Sequence, residues 1–320
     1  MSMITRIAEL IREHDDYTVI AHIAPDGDTI CSCMALKLGL EQIGKKAQVV
    51  CDNRVPPMFA FLEESYFVKT MPDVKRTESC IAVDCADRLR MGTCAKLFDA
   101  ASFTVCLDHH GTNIGFGDLF CVDTTAAATG EIVYLLFKEM GVDIDSDIAR
   151  YLYCAIIADS GQFAYSNTTP RTMRIAADLL ETGIDGNELH TKLYSSDPVS
   201  KLRIKARAIN NLQLFADGKI AVTVITQRDI LAAGASNEDT EGIAEMLRGI
   251  DTVELSAVIK EQRDGAFKVS MRSQNIGNVA AIARKFGGGG HERAAGYTIA
   301  RPLTYCLNTL TDELLRELDV

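Results

Sequence analysis

Short runs of Val, Ile and Phe recur through the first 160 residues, separated by stretches whose apolar positions repeat every three to four residues. The runs at 17–22, 47–52, 80–84, 103–108 and 119–123 predict strands, and several end in Asp or His. The 3.6-residue period predicts helices at 32–43, 126–140, 147–158 and 171–182. Arg6, Glu9, Arg12, Glu13 and Asp15 make the N-terminus an amphipathic helix rather than a signal peptide. Strands alternating with helices imply a mostly parallel sheet covered on both faces.

The pattern changes near residue 190. Residues 188–215 are charged and mostly helical, broken at Asp197-Pro198, and suit a connector. Beyond them the sequence predicts a strand at 219–226, helices at 227–233 and 241–249, and a strand pair at 253–260 and 266–272. The pair surrounds Arg263-Asp264-Gly265, a turn signal. A helix at 278–286, a strand at 295–300 and a helix at 303–318 complete the chain. The expected fold class is α/β: an N-terminal mostly parallel sheet flanked by helices (1–190), a helical connector (191–215) and a smaller mixed α/β domain (216–320).

Composition narrows the class. The 320 residues suit about two domains. A net charge of −11 argues against coating long nucleic acid by counterion release. It leaves short nucleotides open, because a bound metal inverts the local sign. Ten scattered cysteines with no CxxC pair read as free thiols in a reducing, cytoplasmic setting. No apolar run approaches a membrane span.

The histidines carry the chemistry. In His22-Ile-Ala-Pro-Asp26-Gly-Asp28 a strand delivers the imidazole to a tight turn. Asp26 and Asp28 are two residues apart, so an extended stretch would point both carboxylates the same way. Such a set suits Mn²⁺ or a similar cation, while helix capping by an Asp is the alternative. Asp84 ends an apolar strand at the carboxyl edge of the sheet, where ligands gather in open α/β folds. Asp87 and Arg90 are assigned to the following turn and helix. Asp108-His109-His110 offers one imidazole for metal and one for a phosphate, with Asp108 orienting an imidazole. Asp159 closes an apolar helix, where the dipole disfavours a carboxylate unless something positive is near. Asp26, Asp28, Asp84 and Asp159 would crowd about four negative charges, which two divalent cations balance. Four glycines at 287–290 before His291 let a phosphate approach the backbone, and Arg272 and Ser273 offer a guanidinium and a hydroxyl.

Five motifs in order resemble the DHH phosphoesterases over nearly the whole chain, and within them the short two-domain NrnA-type proteins. They are HIAPDGD at 22–28, VDCAD at 83–87, LDHH at 107–110, ADSG at 158–161 and GGGGHERAAG at 287–296. The resemblance implies two Mn²⁺ ions, with Mg²⁺ or Co²⁺ as substitutes. His22, Asp26 and Asp84 would surround one ion, and Asp28, Asp84, His109 and Asp159 the other, with Asp84 bridging. It implies catalytic roles for Asp84, Asp108, His109 and His110, with His110 on the scissile phosphate. His110, Arg272, Ser273, Gly289, Gly290 and His291 would hold substrate, in a cleft between the domains. Two positions depart from the family: Cys31 stands in place of Gly, where a side chain would narrow the helix–strand approach, and Ala164 in place of a basic residue. Residues 163–169 read as a structural loop.

The expected activity is hydrolysis of short oligoribonucleotides, pApA included, to 5′-mononucleotides, or of 3′-phosphoadenosine 5′-phosphate (pAp) to AMP and phosphate. Expected partners are those short RNAs or nucleotide bisphosphates, with no long duplex DNA, no membrane, and room for a homodimer. A RecJ-like single-strand exonuclease and a non-catalytic nucleotide sensor are the alternatives. A family-II pyrophosphatase lacks the glycine module and carries a basic motif that is missing here.

Overall fold

The structure, a computed structural model, describes residues 2–62, 67–68, 74, 77–195 and 197–319. The chain forms two compact units, 1–196 and 197–320.

The first unit runs α1 (Met3–Glu13), β1 (Tyr17–Ile20), α2 (Gly27–Gln42), β2 (Ala47–Val50), β3 (Phe67–Val68), β4 (Ser79–Val83), α3 (Ala95–Ala100), β5 (Phe103–Asp108), β6 (Leu119–Val122), α4 (Thr129–Met140), α5 (Ser146–Asp159), α6 (Pro170–Glu181) and α7 (Gly186–Tyr194). Short 3₁₀ turns occupy Pro57–Leu62 and Arg88–Cys94. Its strands lie in the order β3-β2-β1-β4-β5-β6, all paired in parallel. The order reverses direction between β1 and β4, so the loops leaving these two strands diverge and open a crevice at their carboxyl ends.

The main core lies on the face where α1, α2, α4 and α5 pack, around Ile11, Met34, Leu36, Phe137 and Leu152. The opposite face has a thinner core around Ile20, Met91 and Phe98. α2 is buried on nearly every side, because it packs against α5 as well as against the sheet. An all-round apolar helix has no polar face to mark its start. That is why the periodicity places this start at 32, five residues after Gly27.

The second unit runs α8 (Val199–Asn210), β7 (Gln213–Phe215), β8 (Ile220–Ile225), α9 (Gln227–Ala233), α10 (Ile243–Arg248), β9 (Leu255–Glu261), β10 (Phe267–Ser273), α11 (Val279–Lys285), β11 (Gly289–His291), β12 (Ala294–Ile299) and α12 (Leu303–Glu317). Its sheet has the order β11-β12-β10-β9-β8-β7, antiparallel except for β8–β9. Val279, Ile282, Leu310 and Leu314 from α11 and α12 cover one face. Ile204, Ile230, Ile243 and Leu247 from α8–α10 pack on the other.

The stretch expected to connect the domains is divided: α7 lies in the first unit, and α8 and β7 in the second. β7 and β11, three residues each, are too short to give a period. Among the described residues no helix is long and apolar enough to cross a membrane.

Candidate metal centre

His22, Asp26, Asp28, Asp84, His109, His110 and Asp159 converge at the carboxyl ends of β1, β4 and β5, the start of α2 and the end of α5. Three groups of side chains have ligand atoms within 4.8 Å of one another: His22, Asp26 and Asp84; Asp28, His109 and Asp159; and Asp84, His109 and His110.

Asp84 sits at the junction. Its backbone leaves β4 with φ of 60°, a left-handed conformation that is costly for a residue with a side chain. The Asp84 N–H, donating to Leu107 O at 2.8 Å, helps hold that turn. One carboxylate oxygen, Oδ2, lies 3.4 Å from His22 Nε2, and the other, Oδ1, lies 3.5 Å from His109 Nε2.

His22 and His109 share an arrangement. His22 Nδ1 is 2.8 Å from Ile23 O, and His109 Nδ1 is 3.2 Å from Ala126 O. A carbonyl can only accept, so the Ala126 contact selects the Nδ1–H tautomer of His109 and leaves its Nε2 lone pair facing the carboxylates. At His22 the shorter Ile23 contact favours the same tautomer, against the Arg90 guanidinium 3.0 Å from the same Nδ1. His109 Nε2 is buried with no hydrogen-bond partner, although Asp159 Oδ2 lies 3.1 Å away. A buried acceptor aimed at acceptors is costly unless a cation joins them. The donor set, imidazole with carboxylate, fits Mn²⁺ and similar ions.

Electrostatics point the same way. Burial opposes charge on His22, but Asp26 and Asp84 outweigh it and raise its pKa to about 10. Burial likewise opposes charge on His109, which Asp159, Asp28 and Asp84 raise to about 10. Burial, then the charges of Asp84 and Asp159, push Asp28 well above the ordinary carboxylate value. Burial also raises Asp84. Without metal, the centre therefore binds protons to balance its charge.

Asp26 and Asp28 do not act from one extended stretch. Asp26 is the N-cap of α2, its side chain accepting from Thr29 N at 3.1 Å, and Asp28 already lies in the first helical turn. The helix turns them apart, so Asp26 joins His22 while Asp28 joins His109 and Asp159. Capping and ligand geometry thus coexist in Asp26. Asp28 is fully buried, and its oxygens accept from Ser32 Oγ (2.8 Å), Thr129 N (2.6 Å) and Gly130 N (3.1 Å).

Asp108 is buried and bonds His110 rather than His109, with 2.8 Å to His110 Nδ1. Asn113 Nδ2 donates to its other oxygen at 2.7 Å. Burial raises Asp108, but His110 and Asn113 outweigh it and hold the carboxyl below its ordinary value. Asp108, acting first among the causes, raises His110 in turn. His110 thus carries its Nδ1 proton to Asp108 and turns Nε2 away from it.

Sequence reasoning missed several partners. Thr129 Oγ1 donates to Asp84 Oδ1 at 3.0 Å. Asn167 Nδ2 donates to both Ala127 O and Asp159 O, joining the segment that fixes His109 to the one that carries Asp159. Glu131, fully buried, accepts from Ala127 N at 3.0 Å and pairs with Arg171 at 2.8 Å. Asp87 does cap its 3₁₀ turn, accepting from Leu89 N and Arg90 N. Arg90 does more than that, because its Nη2 lies 3.0 Å from His22 Nδ1. These contacts join segments far apart in the chain, which periodicity cannot report. Cys31 is buried against Cys154 of α5, so it fills a helix–helix rather than a helix–strand approach.

Substrate-type residues of the second unit sit on its sheet. Arg272 Nε donates to Glu245 Oε1 at 2.6 Å and Nη1 to Met271 O at 2.8 Å, which leaves Nη2 without a hydrogen-bond partner among the described residues. Ser273 does not share its face. Side chains alternate along β10, and Ser273 is fully buried, with Arg293 Nη1 3.5 Å from its hydroxyl. The hydroxyl on the face of Arg272 belongs to Ser270, two residues earlier.

The glycine run is a hairpin strand rather than an open loop. Gly289, Gly290 and His291 pair with Gly296, Ala295 and Ala294. In register, Ala294 also pairs with Arg272. A side chain at Gly288 would meet Gly296 O at 2.2 Å, and one at Gly290 would meet Ala294 O at 2.5 Å, whereas one at Gly289 would meet nothing within 4 Å. The His291 side chain lies outside the described residues.

Residues 16–156 match the DHH family, N-terminal domain, and residues 217–318 match the DHHA1 domain. A bifunctional oligoribonuclease and PAP phosphatase NrnA of Thermus thermophilus is 33% identical over 296 residues, 92% of this chain and 87% of the relative. The chain belongs to the DHH family. This makes it a metal-dependent phosphoesterase related to the NrnA proteins. The NrnA protein of Bacillus subtilis is 25% identical over 302 residues, 93% of each chain. An exopolyphosphatase-related protein from Bacteroides fragilis shares the DHH fold seen here, with a TM-score of 0.93 at 22% identity over 98% of this chain and 96% of that one.

Proposed function

We propose that this DHH protein is a Mn²⁺-dependent hydrolase of very short oligoribonucleotides and of pAp, releasing 5′-mononucleotides, or AMP and phosphate. The observation that carries this reading is Asp84, with one oxygen toward His22 and the other toward His109. Such a carboxylate is suited to bridge two ions. His22, Asp26 and Asp84 would hold the first, and Asp28, Asp84, His109 and Asp159 the second. When bound, two such ions make water nucleophilic near neutral pH and offset charge on the phosphoryl oxygens.

The chain's own groups do the rest. The carbonyls of Ile23 and Ala126 favour, in both imidazoles, the tautomer that ligation needs. Asp108 orients His110 and favours its protonated form, in which Nδ1–H stays on Asp108 and Nε2–H becomes a donor for an oxygen of the reacting phosphate. In the second unit Nη2 of Arg272, the unobstructed backbone at Gly289, the adjoining Gly290 and His291 are the proposed grip on a phosphate that does not react. Ser273, buried on the other face, leaves that set. The ten free cysteines agree with a reducing cytoplasmic setting.

The test is a substrate panel with Mn²⁺: pyrophosphate, pAp, pApA, five-nucleotide RNA and long single-stranded DNA. Turnover is expected on pAp, pApA and the short RNA. Efficient cleavage of pyrophosphate, or digestion of long DNA as fast as the short RNA, overturns the reading. Arg272→Ala should lower kcat/KM on pAp about ten- to a hundredfold, the worth of a charge-assisted hydrogen bond. Bis-p-nitrophenyl phosphate, which has no second phosphate, should be nearly unaffected. An equal loss on both compounds would remove Arg272 from recognition.

A further inference from the structure

The second unit contains a cavity of about 300 Å³ between α10 and the β9–β10 ribbon. Its walls include Thr240, Glu241, Lys260, Lys268, Ser270 and Arg272. Lys260 and Lys268 stand directly opposite one another in the antiparallel register. Like charges at that position destabilise a sheet. Among the described residues neither lysine has a carboxylate partner. Lys260 Nζ instead donates to neutral oxygens, Thr240 Oγ1 at 2.9 Å and Asn237 O at 3.2 Å. Burial, then the charge of Lys268, pull Lys260 below its ordinary value.

The acids nearby do not resolve this. Glu245 is committed to Arg272 through the 2.6 Å contact. Glu241, which lines the cavity, and Glu238 offset part of the charge on Lys260 but form no ion pair with either lysine among the described residues. The cavity therefore offers an unpaired ammonium at Lys268, a hydroxyl at Ser270 and an acceptor at Glu241. A singly charged phosphodiester with its ribose hydroxyl matches that set better than a simple carboxylate does.

We infer that this cavity takes an internal phosphodiester of the short RNA, one step along the chain from the phosphate gripped by Arg272. The inference rests on the proposed function. It deepens that reading by giving the protein a reason to favour oligomers of a few nucleotides over the bisphosphate alone, because pAp has no internal diester to place there. Lys268 is a specificity residue in this scheme. It is exposed and is not among the groups proposed for metal binding or chemistry.

The test uses the full-length chain in chelator, so that binding is read without turnover. Fluorescence anisotropy with labelled five-nucleotide RNA, competed by unlabelled pAp, compares wild type, Lys268→Gln and Lys268→Arg. Lys268→Gln should weaken the RNA about five- to tenfold, leave pAp within about twofold, and flatten the salt dependence of RNA binding. Lys268→Arg should restore most of the affinity. Relief of the Lys–Lys opposition should leave the melting temperature of Lys268→Gln unchanged or raised. Unchanged RNA affinity in Lys268→Gln, or an equal loss on RNA and pAp, overturns the inference. Failure of the underlying reading is separate: it appears as wild type that turns over neither pAp nor short RNA with Mn²⁺.

Discussion

The two units handle charge in opposite ways. In the first, Asp28, Asp84 and Asp108 are at most 1% exposed and His22 is 2% exposed. Their charges face one another in a setting that water does not screen. In the second, Lys268 is exposed and Arg272 half-buried, both on a sheet face. Buried like charges demand a partner of opposite sign at a fixed place, which suits ions and a reacting centre. Exposed charges on a face are screened and tolerant, which suits gripping a substrate of variable length. The difference separates chemistry from recognition, and it can be broken residue by residue.

The largest effect is expected at Asp84. Asp84→Asn keeps the shape but removes the charge shared by both clusters, so activity should fall by about a thousandfold or more. Metal content should fall with it. Elemental analysis that found two ions and near-normal turnover would dissolve the contrast, because the buried carboxylates would then be structural.

Asp108→Asn sharpens the same side of the comparison. Asp108 touches His110, which is not among the residues proposed to hold the two ions, so the variant should retain metal while losing about ten- to a hundredfold in kcat. Loss of metal in this variant would place Asp108 among the ligands instead.

The pH dependence of the metal-free protein follows from the raised imidazole values. His22 and His109 at about 10 exceed their unfolded value of about 6.5, so their protonation stabilises the fold. That contribution is complete below pH 6.5 and is lost as pH rises through 10. Asp28 and Asp84, also raised, act with the same sign, since ionising them costs the folded state more than the unfolded one. Melting measured in chelator should therefore drop by several degrees between pH 6.5 and 10, and added Mn²⁺ should suppress the drop. A flat profile in chelator would show that the buried charges are balanced from within the chain.

The smallest effects distinguish the glycines of the second unit. Gly288→Ala drives a side chain into the Gly296 carbonyl and should cost about 1–3 kcal/mol of stability. Gly289→Ala enters open space, so its melting temperature should match wild type while KM for pAp rises about threefold, estimated from the loss of about one weak hydrogen bond. Equal behaviour of the two variants would make the run a structural hairpin alone.

Much of this was legible in the chain. Alternating apolar runs and 3.6-residue periods are local properties, and they located the strands β1, β2, β4, β5 and β6 and most helices to within a few residues. The ligand types were legible too, because His and Asp at the ends of apolar strands stand out against their surroundings. α2 escaped in part, since a helix buried all round lacks the contrast that a period requires.

Pairings decided by the tertiary structure could not be read in this way. Neighbouring residues were parted by local geometry: Asp26 and Asp28 by a helical turn, and Arg272 and Ser273 by the alternation of a strand. Distant residues were joined by packing, as with Asn167 at Ala127 and Asp159, Arg90 at His22, and Glu245 at Arg272. The sequence alone determined which chemical groups this protein owns and on which elements they ride, because side-chain type and periodicity are written in consecutive residues. Only the tertiary structure decided which of them share a proton, a charge or a face, because those energies depend on distances of a few ångströms that the order of residues does not contain.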